Sequence, residues 1–437
     1  MSEGDGVGRE RGRGRGRGRE REGGRERERE MRVWDSRARL CSRGAVEAGT
    51  SRRASAVTWA RPERKGSAER APGTATSRVS LADSAVVARS KFAPSPEACP
   101  YVQGVRFMGS GSCAPGKVVT NGDLEELVET NDEWIRTRTG IIERRVLSDG
   151  EELADIAAAA ATRALASSGV DPTELDLLIL ATSSADDLFG SSCSVQAAIG
   201  APQAACFDLT SACSGFVVGL VTGAQYIRSG AYQKVLVIGG DALSRFVDWT
   251  DRNTCVLFGD GCGACVLGAQ SASEGGCSLL SFHMESDGEG RKHLNASFSG
   301  AGDKTSACLG ADGRGRHGSY SNLRMSGQDV FKWAVRAVPS VVQKAVEKSA
   351  LESVDQIDWL VLHQANTRIL DSAAARLGVP EERVIINISK FGNTSAGSVP
   401  LALDEAVRQG KIRSGDVVAT AGFGAGLTAA SAIFLWD

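Results

Sequence analysis

The sequence predicts an α/β protein, a five-layer αβαβα sandwich made from two similar halves. Short apolar runs at Leu177–Leu180 and Trp359–Leu362 do not alternate with polar residues, which is typical of strands that are buried on both faces. Each run follows a segment whose apolar residues have helical spacing, so helices are expected to cover the faces of the sheets. The same order of segments occurs twice along the chain, which indicates a duplicated structural unit.

Residues 1–100 are predicted to lie outside this fold. Residues 1–30 consist of Arg-Gly and Arg-Glu repeats with almost no apolar side chains, so they cannot bury a core and are expected to be disordered. From Met31 the sequence is rich in Arg, Ser and Ala and poor in acidic residues. That composition is typical of an organellar transit peptide, with a basic tail that binds anions as the alternative. The cleavage site stays open, as does the true start at Met1 or Met31.

The folded part is expected to comprise two halves, residues 101–275 and 276–437, with a boundary near Gly275–Gly276. In the first half "EELADIAAAAATRALASSGV" precedes "DLLILATSS", and in the second "AVRAVPSVVQKAVEKSALE" precedes "DWLVLHQAN". Further along, "AAIGAPQAACFDLTSACSGF" aligns with "ARLGVPEERVIINISKFGNTSA", and "FGDGCGACVLGA" aligns with "FGAGLTAASAIFL". Each half therefore predicts the order helix, strand, strand, helix, strand, strand.

The composition narrows the classes of function. A net charge of -2 argues against a global basic field for nucleic acid, and no window is apolar over the length of a membrane span. No CxxC among the 11 cysteines pairs with a second CxxC or with HxxxH, so no zinc site is expected. The lone CxxC, Cys262 to Cys265, lies in an apolar run and is interpreted as core. This cysteine usage fits a reducing intracellular compartment.

Cys213 stands where the strand-like "ACFDLT" changes into the helix-like "GFVVGLVTGAQYIRSG". At the first turn of a buried helix, the helix dipole and free backbone N–H groups favour a thiolate. The alternative is that Cys213 is a small core residue, because free cysteine is commonly buried. Position alone does not decide between these two interpretations.

Aligning the two halves places Cys213 opposite Asn393, each at the start of an equivalent helix. A pseudo-twofold axis would bring the two helix N-termini together. His363 follows the strand "DWLVL", and ligands gather beyond the carboxyl ends of strands in such sheets. A thiolate can attack an acyl carbon, while an imidazole and an amide can together stabilise a carbonyl oxygen that becomes an enolate.

The glycine-rich loop Ala421–Ser431 follows the strand "DVVAT". Glycines let backbone N–H groups approach a ligand closely, so the N–H of Ala425 and that of Cys213 are expected to form an oxyanion hole. The alternative is a tight turn between strands. The run "LTAASAIFLW" downstream predicts a strand, which argues against a dinucleotide-binding loop.

Taken together, "TSACSGF", "HQANTRI", "GNTSAGSVPLALDEA" and "GFGAGLT" resemble the β-ketoacyl-[acyl-carrier-protein] synthase III family. The resemblance runs from about Val105 to the C-terminus and includes "TNDEWIRTRTGI" and "DWTDRNTCVLFGDGCGA". It implies a thiolase-like fold and a decarboxylating condensation of acetyl-CoA with malonyl-acyl-carrier protein, the first step of fatty-acid synthesis. Cys213 would accept the acyl group, and His363 and Asn393 would serve the malonyl step, without metal or redox cofactor.

The resemblance also implies where substrates and partners bind. The positions that match coenzyme A and substrate contacts are Trp134 and Arg252 beside the adenine, Arg138 at a phosphate, and Asn366. Arg368 and Lys332 match basic positions that dock the acidic carrier protein, and Phe189 matches a residue that lines the acyl pocket across a homodimer interface. A bacterial-type synthase with a transit peptide implies the plastid stroma, with the mitochondrion as the alternative.

The sequence departs from the family pattern in three places. Ala429-Ala430 replace a Trp-Gly pair, Gly190 replaces a proline, and residues 288–322 are polar and divergent, so acyl chain length stays open. The nearest alternative is a related thiolase-like enzyme that uses a longer or different acyl-CoA. More distant alternatives are a papain-like Cys hydrolase, whose "CGSCW" pattern is absent, and a non-catalytic scaffold.

Overall fold

Two β-sheets form the centre of the fold, and both lie in the part of the chain that this computed structural model describes, residues 103–270, 277–299 and 318–437. The predictions for residues 1–100 and for the boundary near Gly275–Gly276 fall outside those ranges. None of the helices within them is both long and apolar enough to span a membrane.

The first sheet has the strand order β1-β7-β6-β4-β5. The short strand β4 is buried along its whole length, as its uninterrupted apolar sequence predicts. It runs parallel to β5 and β6, whereas β7 runs antiparallel to β6 and β1. The strands are β1 (Gly104–Cys113), β4 (Leu177–Ala181), β5 (Ala205–Leu209), β6 (Lys234–Asp241) and β7 (Gly261–Gln270).

The second sheet has the order β13-β14-β15-β8. Its strands are β8 (Leu279–Ser286), β13 (Trp359–Leu362), β14 (Val417–Gly424) and β15 (Thr428–Leu435). The pair β13 and β14 is parallel and the other two pairs are antiparallel. These directions repeat those of β4, β6, β7 and β1, so the sheets confirm the predicted duplication. The "LTAASAIFLW" segment forms a strand, as expected.

One predicted strand of the second half is missing. The segment "RVIINIS", which aligns with β5, contributes only an isolated bridge from Val384 to Leu360. The side chain of Gln364 takes the place of a neighbouring strand there, since its amide donates to the carbonyl oxygen of Ile385 at 3.1 Å. Its Oε1 accepts from the N–H of Asn387, also at 3.1 Å. The prediction of a strand at this position was therefore wrong, because a side chain satisfies the backbone groups that a strand would pair.

Nine helices occur in the described residues. They are α1 (Asn121–Glu125), α2 (Asp132–Thr139), α3 (Leu153–Ser168), α4 (Ser192–Ala198), α5 (Gly215–Arg228), α6 (Gly327–Glu347), α7 (Thr367–Leu377), α8 (Ile388–Phe391) and α9 (Ser398–Arg408). The remaining strands are short: β2 (Lys117–Thr120), β3 (Glu143–Val146), β9 (Leu294–Asn295), β10 (Phe298–Ser299), β11 (Ser319–Tyr320) and β12 (Arg324–Met325).

The helices α5 and α9 form the middle layer between the two sheets, because both contribute to one core with strands of each sheet. Helices α3 and α4 pack on the outer face of the first sheet, and α6 and α7 on the outer face of the second. The close approach of α5 to the first sheet requires glycine, since a Cβ on Gly219 would lie 2.9 Å from Val237. The layers confirm the predicted αβαβα sandwich.

The cysteines of the lone CxxC lie within β7. Cys262 and Cys265 are both fully buried and both free. Burial in a strand that packs on both faces confirms their interpretation as core residues.

A stacked phenylalanine pair joins the halves. Phe107 of β1 and Phe434 of β15 are fully buried, and their rings stack with centroids 3.9 Å apart. Substitution Phe107→Ala should lower the free energy of unfolding by about 3–5 kcal/mol, because it leaves a cavity in the shared core. Denaturant titration followed by circular dichroism measures this loss. The control Phe298→Ala removes a ring that is 55% exposed and should cost less than about 1 kcal/mol; equal costs would contradict this assignment of the core.

Candidate active site

Cys213 lies in a single 3₁₀ turn, Ala212–Ser214, that leads directly into α5. The strand β5 ends at Leu209, so the cysteine occupies the predicted change from strand to helix. Ala212 has the left-handed backbone conformation, with φ of 46°, which costs a non-glycine residue about 1–2 kcal/mol. The turn holds the cysteine, only 6% exposed, at the start of a central helix.

The second half contains a matching 3₁₀ turn, Ser395–Gly397, that leads directly into α9. Its first residue, Ser395, has a φ of 51° and so repeats the conformation of Ala212. By this equivalence Ala396, rather than Asn393, stands opposite Cys213, and the alignment from sequence was wrong by three residues. The two turns do meet as predicted, since a Cβ on Gly215 would lie 3.5 Å from the Cβ of Ala396.

His363 directly follows β13, at the carboxyl end of that strand. Its backbone N–H donates to the carbonyl oxygen of Ala421 at 2.8 Å, and its ring packs edge-on against Phe423. The ring nitrogen Nδ1 lies 2.6 Å from the hydroxyl oxygen of Ser398, the first residue of α9. Strand and helix together therefore fix both the position and the rotation of the imidazole.

Ser395 connects the three predicted catalytic residues. Its hydroxyl donates to Cys213 Sγ at 3.3 Å, and its N–H donates to Asn393 Oδ1 at 2.9 Å. Its carbonyl oxygen lies 3.0 Å from the hydroxyl of Ser398, which in turn contacts His363. Sulfur, amide and imidazole thus converge through one turn of the backbone and two hydroxyl groups.

The sequence analysis did not identify Ser395 or Ser398, the two serines that link these groups, as site residues. They lie in the motif "GNTSAGSVPLALDEA", and small hydroxyl residues before a helix are commonly caps with a local role only. One signal in the sequence could have identified them. The duplication makes α9 the equivalent of α5, the helix that follows Cys213, and both serines lie at the start of α9.

Burial raises the pKa of the Cys213 thiol to about 12. The hydrogen bond from Ser395 lowers this pKa, the charge of Asp241 raises it, and the cysteine's own N–H lowers it. At neutral pH the unliganded site therefore holds a thiol. The expectation of a thiolate was wrong because loss of hydration outweighs the donors at the helix start.

Burial also lowers the pKa of His363 to about 3, so its imidazole is neutral across the physiological range. A neutral imidazole has one N–H donor and one acceptor nitrogen. Since Nδ1 is directed at Ser398, Nε2 is the nitrogen that remains for substrate.

Asp241, at the end of β6, is a buried carboxylate that sequence reasoning also missed. Its Oδ1 accepts from the N–H of Ser183 at 2.7 Å and from the hydroxyl of Ser184 at 2.8 Å. Its Oδ2 accepts from the N–H of Ala396 at 3.2 Å. Burial raises its pKa. The carboxylate thereby ties a loop of the first half to the Ser395–Gly397 turn of the second.

A largely apolar cavity of about 280 Å³ opens beside Cys213. Cys213, Ser395 and Ala425 contribute to its wall. The other lining residues are Ser183, Thr210, Ala212, Leu243, Phe246, Phe258, Leu294, Asn295, Ala296, Tyr320 and Leu323. Within the described ranges, no group of three or more His, Cys, Asp or Glu side chains could hold a metal ion.

The glycine-rich loop packs directly on the cysteine. A Cβ on Gly424 would lie 2.9 Å from the Cys213 nitrogen and 3.0 Å from its sulfur, so only glycine fits there. Ala425 follows and lines the cavity. The hydroxyl of Ser214 lies 2.8 Å from that of Thr428, which links the loop to the turn. This placement favours a site over a plain turn, and the oxyanion hole remains a prediction.

The residues predicted to contact coenzyme A form one cluster. The guanidinium of Arg252 lies 4.4 Å from the ring centroid of Trp134, and that of Arg138 lies 5.0 Å from it. Asn366 caps α7 through the N–H of Arg368, and its amide donates to the carbonyl oxygen of Arg138 at 2.8 Å. The four residues therefore share one surface.

The predicted docking residues Arg368 and Lys332 lie on neighbouring helices. Arg368 stacks over the ring of Phe331, with 5.6 Å to its centroid, and Lys332 follows Phe331 in α6. Lys332 is 68% exposed and lies 3.9 Å from Asp329. Phe189 is 91% exposed in the single chain, and it is not among the residues that line the cavity beside Cys213.

Comparison with known proteins identifies relatives over most of this chain. The family models described as 3-oxoacyl-[acyl-carrier-protein (ACP)] synthase III and as its C-terminal part match residues 207–288 and 347–436. A β-ketoacyl-[acyl-carrier-protein] synthase III from Thermosynechococcus vestitus is 52% identical over 336 residues, which cover 77% of this chain and 99% of that protein. A chloroplastic protein of the same name from Arabidopsis thaliana is 51% identical over 338 residues, which cover 76% of this chain and 83% of that protein.

Solved structures agree with these matches. The 3-oxoacyl-[acyl-carrier-protein] synthase III of Aquifex aeolicus superposes with a TM-score of 0.68 at 39% identity, covering 76% of this chain and all of its own. The priming β-ketosynthase of the R1128 polyketide pathway superposes with a TM-score of 0.70 at 35% identity, covering 77% of this chain and 98% of its own.

The hydrogen bond from Ser395 to the Cys213 sulfur should affect how fast this cysteine reacts. Ser395→Ala removes a donor that lowers the Cys213 pKa, so alkylation of Cys213 by iodoacetamide should slow several-fold at neutral pH. Quantitative mass spectrometry of the alkylated Cys213 peptide measures the rate. The matched control is Ser398→Ala, which removes the hydroxyl that contacts His363 and should leave alkylation unchanged; equal slowing in both variants would contradict the role of Ser395.

Burial of a neutral imidazole makes stability depend on pH. His363 has a pKa of about 3 in the folded protein against 6.5 in a free side chain. The unfolded chain therefore binds one more proton between these values, and stability falls as pH falls below 6.5. Relative to His363→Gln, wild type should lose about 1.4 kcal/mol per pH unit in that window. Denaturant titrations at several pH values measure both slopes; parallel slopes would contradict the burial of a neutral imidazole.

Proposed function

Because this chain belongs to the β-ketoacyl-[acyl-carrier-protein] synthase III family, we propose that it condenses acetyl-CoA with malonyl-acyl-carrier protein through an acyl-Cys213 intermediate. The observation that carries this assignment of residues is the chain of contacts from Cys213 through Ser395 to Asn393 and, through Ser398, to His363. Family membership makes the chain an acyltransferase that initiates fatty-acid synthesis, and it sets aside the papain-like hydrolase and the non-catalytic scaffold.

In the first half-reaction, Cys213 takes the acetyl group from coenzyme A. The adenine would bind between Trp134 and Arg252, and Arg138 would contact a phosphate of coenzyme A. The cysteine sulfur attacks the thioester carbon, the bond from carbon to the coenzyme A sulfur breaks, and that sulfur leaves with the thiol proton. The N–H groups of Cys213 and Ala425 would stabilise the oxyanion in between.

In the second half-reaction, malonyl-acyl-carrier protein loses carbon dioxide and becomes an enolate. His363 is neutral. We assign the single hydroxyl proton of Ser398 to Nδ1, which lies 2.6 Å away, rather than to the Ser395 carbonyl oxygen at 3.0 Å. Nε2 then carries the ring proton and can donate to the enolate oxygen together with the Asn393 amide. The enolate carbon attacks the acetyl thioester, and the Cys213 sulfur leaves and regains a proton. The product is acetoacetyl-acyl-carrier protein, and the scheme needs no metal or redox cofactor.

The carrier protein would dock on the basic surface formed by Arg368 and Lys332. Arg368, at the start of α7, stacks over Phe331 of α6, and Lys332 is the next residue of that helix. Exposed cations steer an acidic partner and speed its association. Asn366, next to Arg368, connects this surface to the coenzyme A cluster through Arg138, so both thioester substrates would enter from the same side.

The chain would act as a homodimer. Leu188 and Phe189 are 86% and 91% exposed, and adjacent large apolar side chains on a surface commonly mark an interface. Asp187 shapes this loop, since its carbonyl oxygen accepts from the N–H of Gly190 at 3.0 Å and its side chain accepts from the N–H of Phe189 at 2.8 Å. Gly190 has a φ of 99°, which proline cannot adopt, and the loop would present Phe189 to a second copy.

The plastid stroma is the proposed location. The chloroplastic relative supports it, as does the composition from Met31 onward, rich in Arg and Ser and poor in acids. No relative reported above supports the mitochondrial alternative. A related enzyme that uses a longer acyl-CoA would employ the same catalytic groups. A panel of acyl-CoAs therefore has to distinguish an acetyl primer from a longer one.

Intact-protein mass spectrometry tests the nucleophile and the primer together. Incubation with a panel of acyl-CoAs should add one acetyl group to wild type, and Cys213→Ala should abolish the adduct because no sulfur remains to attack. The control Cys265→Ala removes a buried core thiol and should keep acylation. An acyl adduct that persists in Cys213→Ala would contradict the proposal, and a preference for longer chains would favour the alternative primer.

The two half-reactions separate the remaining roles. His363→Ala and Asn393→Ala should each slow release of carbon dioxide from malonyl-acyl-carrier protein by about 10²-fold or more, because each removes a donor to the enolate. Acetyl transfer to Cys213 should change far less. Radiolabelled malonyl and acetyl substrates measure the two steps apart; equal loss in both steps would count against these assignments.

A further inference from the structure

Two thiols outside the site lie in contact with each other. Cys193 is in the first turn of α4 and Cys206 is the second residue of β5. Their sulfur atoms are 3.4 Å apart and both are free. A disulfide bond brings sulfur atoms to about 2 Å, so the two sulfur atoms need to approach by about a further 1.4 Å to form one.

The local backbone holds this pair in place. Asp208 of β5 accepts from the N–H groups of Ser191 and Ser192 at 2.9 and 2.8 Å, which joins the start of α4 to the strand. These bonds fix the start of the helix to the strand next to the sulfur pair, so the two cysteines lie on elements that are joined directly.

The two thiols differ in access. In the single chain Cys193 is exposed to solvent, whereas Cys206 is partly buried and packs against the core under α3. Burial and contact with Cys193 raise the pKa of Cys206. A reagent in solution therefore meets Cys193 first, and Cys206 lies in position to react with whatever forms there.

We propose that Cys193 and Cys206 are a modification site, a reversible intrachain disulfide formed by exchange with a low-molecular-weight or protein disulfide. The Cys193 thiolate attacks one sulfur of the oxidant, and the other sulfur leaves as a thiol after taking up a proton. The Cys206 thiolate then attacks the Cys193 sulfur and displaces the second thiol. In total two cysteine thiols are oxidised to one disulfide, and the oxidant disulfide is reduced to two thiols.

The link would join two segments that lead into the functional site. The Leu188–Phe189 pair lies just before α4, and β5 runs on to Cys213. Oxidation would thus covalently fix the loop that presents Phe189 to the strand that carries the nucleophile. Cys213 itself takes no part, since its sulfur is buried in the separate contact with Ser395.

Peptide mapping of the full chain tests the proposal. The protein is equilibrated with oxidised glutathione, alkylated and cleaved with chymotrypsin. Cleavage after Phe189 and Phe207 releases residues 190–207, which contain Cys193 and Cys206 and no other cysteine. This peptide should escape alkylation and be about 2 Da lighter than its reduced form, and dithiothreitol should restore the reduced mass.

Three variants complete the test. Cys193→Ser and Cys206→Ser should each abolish the lighter peptide, and the control Cys113→Ser should retain it. A peptide that stays reduced in wild type, a stable glutathione adduct on Cys193, or a disulfide between two chains on a non-reducing gel would each overturn the proposal. The readout requires no acyl transfer, so its result is independent of the proposed function.

Discussion

The constraint on which this structure depends is the meeting of two 3₁₀ turns in the buried layer between the sheets. Ala212–Ser214 and Ser395–Gly397 each begin with a left-handed residue and each open a central helix. This conformation is costly for residues other than glycine, and the packing of two sheets around α5 and α9 maintains it. Moving either turn would separate the sulfur of Cys213 from the hydroxyl of Ser395. The sulfur would then also move away from Asn393 and His363, which Ser395 contacts directly or through Ser398.

Burial at this junction also determines the charge states. The pKa of Cys213 rises to about 12 and that of His363 falls to about 3, so both groups are neutral when the site is empty. Neutral groups tolerate a low dielectric that would penalise a thiolate and an imidazolium. The charge then develops only as a substrate carbonyl becomes an oxyanion or an enolate, which is where donors that are already oriented contribute most.

Much of this arrangement could be predicted from sequence, and the failures have physical causes. Uninterrupted apolar runs such as Leu177–Leu180 predict buried strands because no solvent-exposed face interrupts them. The missing second-half strand could not be foreseen, since the Gln364 side chain replaces a strand as hydrogen-bond partner. Ser395 was likewise missed, because its role depends on a left-handed turn that brings it to a sulfur 182 positions away.

The pH dependence of Cys213 alkylation in the unliganded wild-type protein tests most directly whether this junction buries a neutral thiol. Chymotryptic cleavage after Leu209 and Phe216 isolates a peptide with Cys213 as its one cysteine, so its modification can be followed alone. With a pKa of about 12, the rate should rise about tenfold per pH unit between about pH 6 and pH 9 without levelling off. A plateau within that range would reveal a thiolate in the resting site and contradict the account.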